Sequence, residues 1–209
     1  MSVIDKLATS QGTKSDVPNQ ILAKELANNN DSNRIKVIVE NLENRNKSIQ
    51  SDCIKVLYEI GYMKPFLIAE YVNEFIKLLK SRNNRLVWGG MISLSTISEL
   101  KAKELFEQRN IIIKAIEDGS VITSDAGIKT LSVVAAHNEK YSKELFPYLI
   151  KCLMNCRPKS VAQYSESIFL AVSKKNETQF IKAVNERKGI LNPSQIKRVD
   201  NLLKKLGKA

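Results

Sequence analysis

Residues 73–79 read Asn-Glu-Phe-Ile-Lys-Leu-Leu. Ile76 and Leu79 are apolar and three apart, so they share one face of a helix. Moved back 37 positions the pair returns as Val39 and Leu42; moved forward 37 it is Ile113 and Ile116, and forward again Ile150 and Leu153. The position before the first of each pair repeats too, as Ile38, Phe75, Ile112 and Leu149. One buried stripe is written several times over.

Helices of another kind alternate with these; they come first in each pair and are called first-type below, and the helices of the 73–79 stripe second-type. Ile54, Leu57 and Ile60 recur 37 residues on as Met91, Leu94 and Ile97, then as Ile128, Leu131 and Val134; Ile168 and Ala171 follow after a step of 40. Cys53, Gly90 and Gly127, with Ser167 after the longer step, put a small residue at one point of each such helix, where it lets a neighbour approach closely. The pattern predicts first-type helices over 48–61, 85–99, 123–137 and 159–174. It predicts second-type helices over 65–81, 103–117, 142–155 and 177–188. Shorter helices over 18–28 and 32–44 come before them. Ile196, Val199, Leu203 and Leu206 make a last amphipathic helix over 193–206. Gly61 and Gly207 read as helix stops and Pro65 as an entry.

One antiparallel pair of such helices cannot hide its apolar face, whereas stacked equal pairs build a continuous core. The expectation is an all-α solenoid of about four to five stacked helical hairpins, forming a single domain over 17–209 with 193–206 as its cap. Residues 1–16 carry only isolated Val3, Ile4 and Leu7 before a polar run, and are expected to be flexible.

Composition agrees with this reading. The chain has 209 residues, 43% apolar and 26% charged, with 8 Gly and 5 Pro, which suits one sizeable helical domain and excludes an all-β or disordered chain. Three cysteines without an even framework point to a reducing compartment. There is no continuous apolar stretch near the start that would serve as a signal peptide, and no run long enough to span a bilayer. A cytoplasmic protein is the expectation.

Residues 46–61, NKSIQSDCIKVLYEIG, resemble the first helix of a HEAT repeat. Residues 144–155, ELFPYLIKCLMN, are similar to the second, including a proline followed by apolar residues. The resemblance covers about 30–188. It implies an α-α superhelix of the HEAT/armadillo kind, curved and right-handed, with the second-type helices lining its concave side. It also implies the binding of macromolecules rather than catalysis.

No enzyme motif emerges from the residues. Gly89-Gly90 is not followed by the Gly-Lys-Ser/Thr of a phosphate loop. His137, the sole histidine, sits at a helix end, where it suits the helix dipole. Cys152 and Cys156 share a helix face, but a zinc site needs two more ligands. The carboxylate pairs Asp52 with Glu59 and Glu117 with Asp118 read as helix surface. Trp88, the one tryptophan, is expected to pack into the space left by the adjacent glycines. No catalytic residue, metal or cofactor is predicted.

Charge is the most informative chemical feature. The formal net charge is +11. From Lys174 to the end there are ten basic residues against three acidic ones, a net +7. The position after each core isoleucine of the second-type helices is Lys77, Lys114 and Lys151, with Glu40 in the first unit. It lies about 140° from the centre of the buried stripe, so stacking predicts a lysine ladder at roughly 8–10 Å spacing. These three, with Lys182, Arg187, Lys188, Lys197 and Arg198, are the candidate partner-binding residues.

Two function classes fit. The first is a non-catalytic scaffold holding a protein partner in its concave groove. The second is a nucleic-acid-binding protein gripping a phosphate backbone with the ladder and the basic C-terminal region. The second class includes a resemblance to the HEAT-like alkylpurine DNA glycosylases, for whose aromatic-plus-acid pocket Trp88 with Asp52 or Asp125 is the nearest match. Solvated helix surface is the plain alternative for the lysines. The protein-binding scaffold is the reading adopted.

Overall fold

The computed structural model describes residues 2–207. Among the described residues it holds twelve α-helices and no strand. In chain order they are α1 (Val17–Asn28), α2 (Ser32–Glu40), α3 (Lys47–Met63), α4 (Val72–Leu78), α5 (Asn84–Ile97) and α6 (Ala102–Glu107). They continue as α7 (Arg109–Asp118), α8 (Val121–Ala136), α9 (Glu139–Asn155), α10 (Pro158–Phe169), α11 (Glu177–Lys188) and α12 (Pro193–Leu206).

The repeat dictates both core and caps. Ile54, Leu57, Ile60, Met91, Leu94, Ile97, Ile128, Leu131 and Val134 are all buried. So are Ile38, Phe75, Ile112 and Leu149, which form the deepest row of the second-type helices, while Ile113 is only half-buried. The helix starts repeat as well. Asn46 accepts from the Ser48 N–H, Asn83 from the Arg85 N–H and the Ser120 hydroxyl from the Thr123 N–H, and these three positions are 37 apart. Each donates an oxygen lone pair to backbone N–H groups that the helix itself leaves without acceptors. The break between α1 and α2 is made by Asn30, at φ 48°, and Asp31 caps α2 through the Arg34 N–H at 3.0 Å.

The small-residue series has the expected purpose. A Cβ on Gly90 would lie 3.1 Å from the Phe75 carbonyl oxygen on α4, and one on Gly127 would overlap Ile116 on α7 and reach 3.3 Å from Met91 on α5. The same holds at Gly61, which does not stop its helix. It lies inside α3, where a Cβ would sit 2.9 Å from the Thr96 Cβ on α5. The stop comes from Pro65, which forces Lys64 out of helical geometry, to φ −144° and ψ 76°.

Several boundaries differ from expectation. The second-type helix predicted over 65–81 is two 3-10 turns, Pro65–Leu67 and Ala69–Tyr71, followed by α4. Leu67, Ile68 and Ala69 are all buried. Three consecutive residues sweep about 200° of a straight helix, wider than one face, so the axis must turn. The helix predicted over 103–117 is likewise divided into α6 and α7, and α7 begins 37 residues after α4, so the break is part of the repeat. Ile21, on α1, is exposed. In α12 Val199 and Leu202 are the buried pair, with Ile196, Leu203 and Leu206 half-buried at its margins.

The first part of the N-terminal segment, residues 3–9, packs against the helices, while 10–12 and 14–16 are exposed. Leu7 and Ala8 are buried, and Asp52 accepts from the Thr9 N–H at 2.7 Å and from the Asn19 amide at 2.8 Å. Lys6 reaches Glu25 at 2.8 Å. The sequence could not show this, because Asp52 reads as helix surface until Asn19 and Thr9 are brought against it.

The contacts gather into two compact units, Met1–Gly127 and Ile128–Ala209. The boundary falls within α8.

Cys53 lies fully inside the first unit, and burial, with the neighbouring Asp52 charge adding to it, pushes its thiol up to about 12. We expect Cys53 in the Cys152→Ser/Cys156→Ser background to resist an aromatic disulfide reagent at pH 8 and to react only on unfolding. Native-state labelling at the rate of a small thiol would contradict that burial.

Candidate partner-binding surface

Lys77 on α4 and Lys114 on α7 belong to the first unit, and Lys151 on α9 to the second; all three are exposed. Their exposure follows from the repeat, since each stands two residues after the deepest core position. Lys114 sits 3.5 Å from Asp118, one turn on.

The five C-terminal candidates divide. Lys182 and Lys197 are exposed, Lys182 at 3.9 Å from Glu186. Lys188 is paired with Asp200 at 2.6 Å, which ties α11 to α12. Arg198 grips both Glu166 oxygens, at 2.7 and 2.5 Å, and joins α12 to α10. Arg187 donates to the Met154 carbonyl at 2.7 Å and to the Cys156 carbonyl, so its guanidinium closes the C-terminal end of α9. Such carbonyls have no helical donor of their own. We expect Arg187→Ala to lower the stability of the second unit by about 1–3 kcal/mol, measured by chemical denaturation followed by circular dichroism. An unchanged midpoint would show that the Arg187 hydrogen bonds add nothing.

Charge is distributed unevenly between the units. Residues 128–209 carry 16 basic and 6 acidic residues, a net +10, while residues 1–127 carry 17 and 16, a net +1. The whole-chain value of +11 therefore belongs almost wholly to the second unit.

That unit also contains a groove of about 600 Å³ between the end of α8, the first half of α9, the 170–176 connection and the start of α11. Its floor is apolar, with Phe146, Pro147, Leu170 and Ala171 among its lining residues. Its rim carries Lys143, Lys174 and Lys175. Glu139 is held there by Lys175 at 2.8 Å and Lys143 at 3.0 Å. Hydrogen bonds from Lys175, then Lys143, bring its carboxyl down to about 2. Asn176 fixes the connection in place: its side-chain oxygen accepts from the Ser173 N–H at 2.7 Å, and its amide donates to the Ala171 carbonyl at 3.1 Å.

Sequence reasoning counted Lys174 and Lys175 in the basic region without placing them. The available signal was the repeat: Asn138 and Asn176 occupy similar points of successive hairpins, which sets Lys175 beside Glu139.

The other nominated chemistry is placed as follows. Trp88 is half-buried, 6.0 Å from the Tyr58 ring, and the space beside Gly89 is filled by Ile54 rather than by the indole. Asp52 is taken up by Thr9 and Asn19. His137 stacks on Tyr141 at 6.0 Å. Among the described residues no cluster of three or more His, Cys, Asp or Glu could hold a metal ion. No helix among them is long and apolar enough to cross a membrane.

No protein-family model matches this chain, and no curated protein matches it. Solved structures do. A designed armadillo repeat protein is 13% identical, with 97% of each chain covered and a TM-score of 0.63. An engineered protein is 14% identical over 100% of both chains, with a TM-score of 0.65. A designed armadillo repeat protein in complex with the peptide (KR)4 is 12% identical, with 97% of each chain covered and a TM-score of 0.64. Together with the 37-residue recurrence of core, caps and small residues, these likenesses lead to one conclusion about architecture: the chain has the all-α, armadillo/HEAT-like repeat fold.

Proposed function

We propose that this protein is a non-catalytic repeat scaffold that binds a protein partner through its lysine-bearing second-type helices and its basic second unit. The observation that carries the reading is the net +10 of residues 128–209, carried on a repeat fold. One neighbour of that fold was solved with the peptide (KR)4, and another is described as designed for modular peptide recognition. The first of those peptides is cationic. This chain has the opposite requirement, since a surface rich in lysine attracts an acidic partner and repels a basic one. The partner is therefore an acidic protein surface or segment, met in the cytoplasm without a cofactor.

The same charge favours a second reading, in which the phosphate backbone of a nucleic acid is the acidic partner. Affinity capture with the full chain, followed by binding measurements over a salt series, separates the two. A single acidic protein recovered in stoichiometric amount, and lost on changing Lys77, Lys114 and Lys151 together to Glu, is the expected result. Tight, steeply salt-dependent binding of duplex or single-stranded oligonucleotides, with no protein recovered, would replace the first reading by the second.

A further inference from the structure

The groove of the second unit has features that simple solubility does not require. Leu170 is 50% exposed at the end of α10, on a floor continued by Phe146, Pro147 and Ala171. An apolar seat and a basic rim thus lie within one concavity. Glu139 shows how a carboxylate is received there, with ammonium groups at 2.8 and 3.0 Å. Lys174, also on the rim, makes no ion pair among the described residues.

We propose that this groove docks a short acidic peptide segment of the partner protein, seating one apolar side chain on the Phe146–Pro147–Leu170 floor between carboxylates that pair with Lys143, Lys174 and Lys175. The proposal rests on the protein-binding reading above and gives the contact a lining that includes none of Lys77, Lys114 and Lys151. Charge complementarity selects the occupant. The lining holds three lysines and one carboxylate, which Lys143 and Lys175 already engage, inside a unit of net +10. A second copy of the chain, itself at +11, is repelled. A nucleic-acid strand fits less well, because strand binders offer exposed rings for bases to stack on. The only ring among the lining residues is Phe146, and it is 2% exposed.

The test uses the full chain and a fluorescein-labelled peptide of sequence Asp-Glu-Asp-Leu-Asp-Glu-Asp, followed by fluorescence polarisation at low salt. Leu170→Glu and Lys174→Glu should each weaken binding about tenfold or more, and replacing the peptide's leucine by alanine about tenfold. Lys24→Glu, the same charge change as Lys174→Glu at an exposed position of α1, should stay within about twofold. Circular dichroism melts confirm that the variants fold, as expected for substitutions at exposed positions. The proposal is overturned if the peptide does not bind, if the groove variants bind like the parent, or if the alanine peptide competes equally. It is overturned equally if an oligothymidylate of matched charge binds more tightly and ignores the groove substitutions. Loss of peptide binding in the Lys77/Lys114/Lys151→Glu variant alone would refute the groove and leave the scaffold reading standing.

Discussion

Phe75→Ala should cost about 3–5 kcal/mol of stability, the largest effect we expect from a single side chain. Phe75 is fully buried in α4, a helix of only seven residues preceded by 3-10 turns. So short a helix has little intrinsic stability and is held by its packing. The equivalent positions in the other hairpins are Ile38, Ile112 and Leu149, all aliphatic and all buried. Phe75→Leu, which adopts the chemistry of those positions, should cost only about 1–2 kcal/mol. Chemical denaturation followed by the fluorescence of Trp88, which lies on α5 in the same unit, measures both. If leucine were as damaging as alanine, the equivalence of these four positions would fail.

Gly127→Val should cost about 2–3 kcal/mol, although valine is the better helix former by several tenths of a kcal/mol. The reason is local crowding. A Cβ on Gly127 overlaps Ile116 of α7 and lies 3.3 Å from the Met91 Cε of α5, so three helices meet at this point. A β-branched side chain has few rotamers with which to escape. Gly127→Ala should be milder, and combining it with Ile116→Ala should recover part of the loss, a coupling of about 0.5–3 kcal/mol between touching residues. Additive costs in the double variant would show that Gly127 is not a packing position.

Loss of an interior contact and loss of a surface contact are distinguishable in this chain. Phe75, Gly127 and Arg187 act through stability, whereas Leu170 and Lys174, on the rim and floor of the groove, act through binding alone. Arg187 and Arg198 show why the two kinds were mixed in the sequence. A guanidinium that closes a helix end and one that meets a partner have the same one-letter code. The fork geometry of arginine suits both uses.

The recurrence at 37 residues was enough to determine the helix types, the buried rows, the small-residue contacts and the repeat fold, because burial on a helix depends on local periodicity and stacking repeats that burial at equal intervals. The 37-residue register of the caps at Asn46, Asn83 and Ser120 was present in the same letters. Tertiary structure alone decided the rest. The second-type helix over 65–81 is broken where Leu67, Ile68 and Ala69, three residues in a row, are all buried, more than one helix face can hold. Asp52 became the anchor of the N-terminal segment only when α1 placed Asn19 against it, and Lys175 met Glu139 only through the stacking of successive hairpins. The placement of nearly all the net charge in one unit likewise depends on where the chain divides. Periodicity specifies which face of a helix is turned inward. It carries no information on which distant polar groups are brought within hydrogen-bonding range, since those distances are set by helix crossing and loop paths that no local repeat encodes.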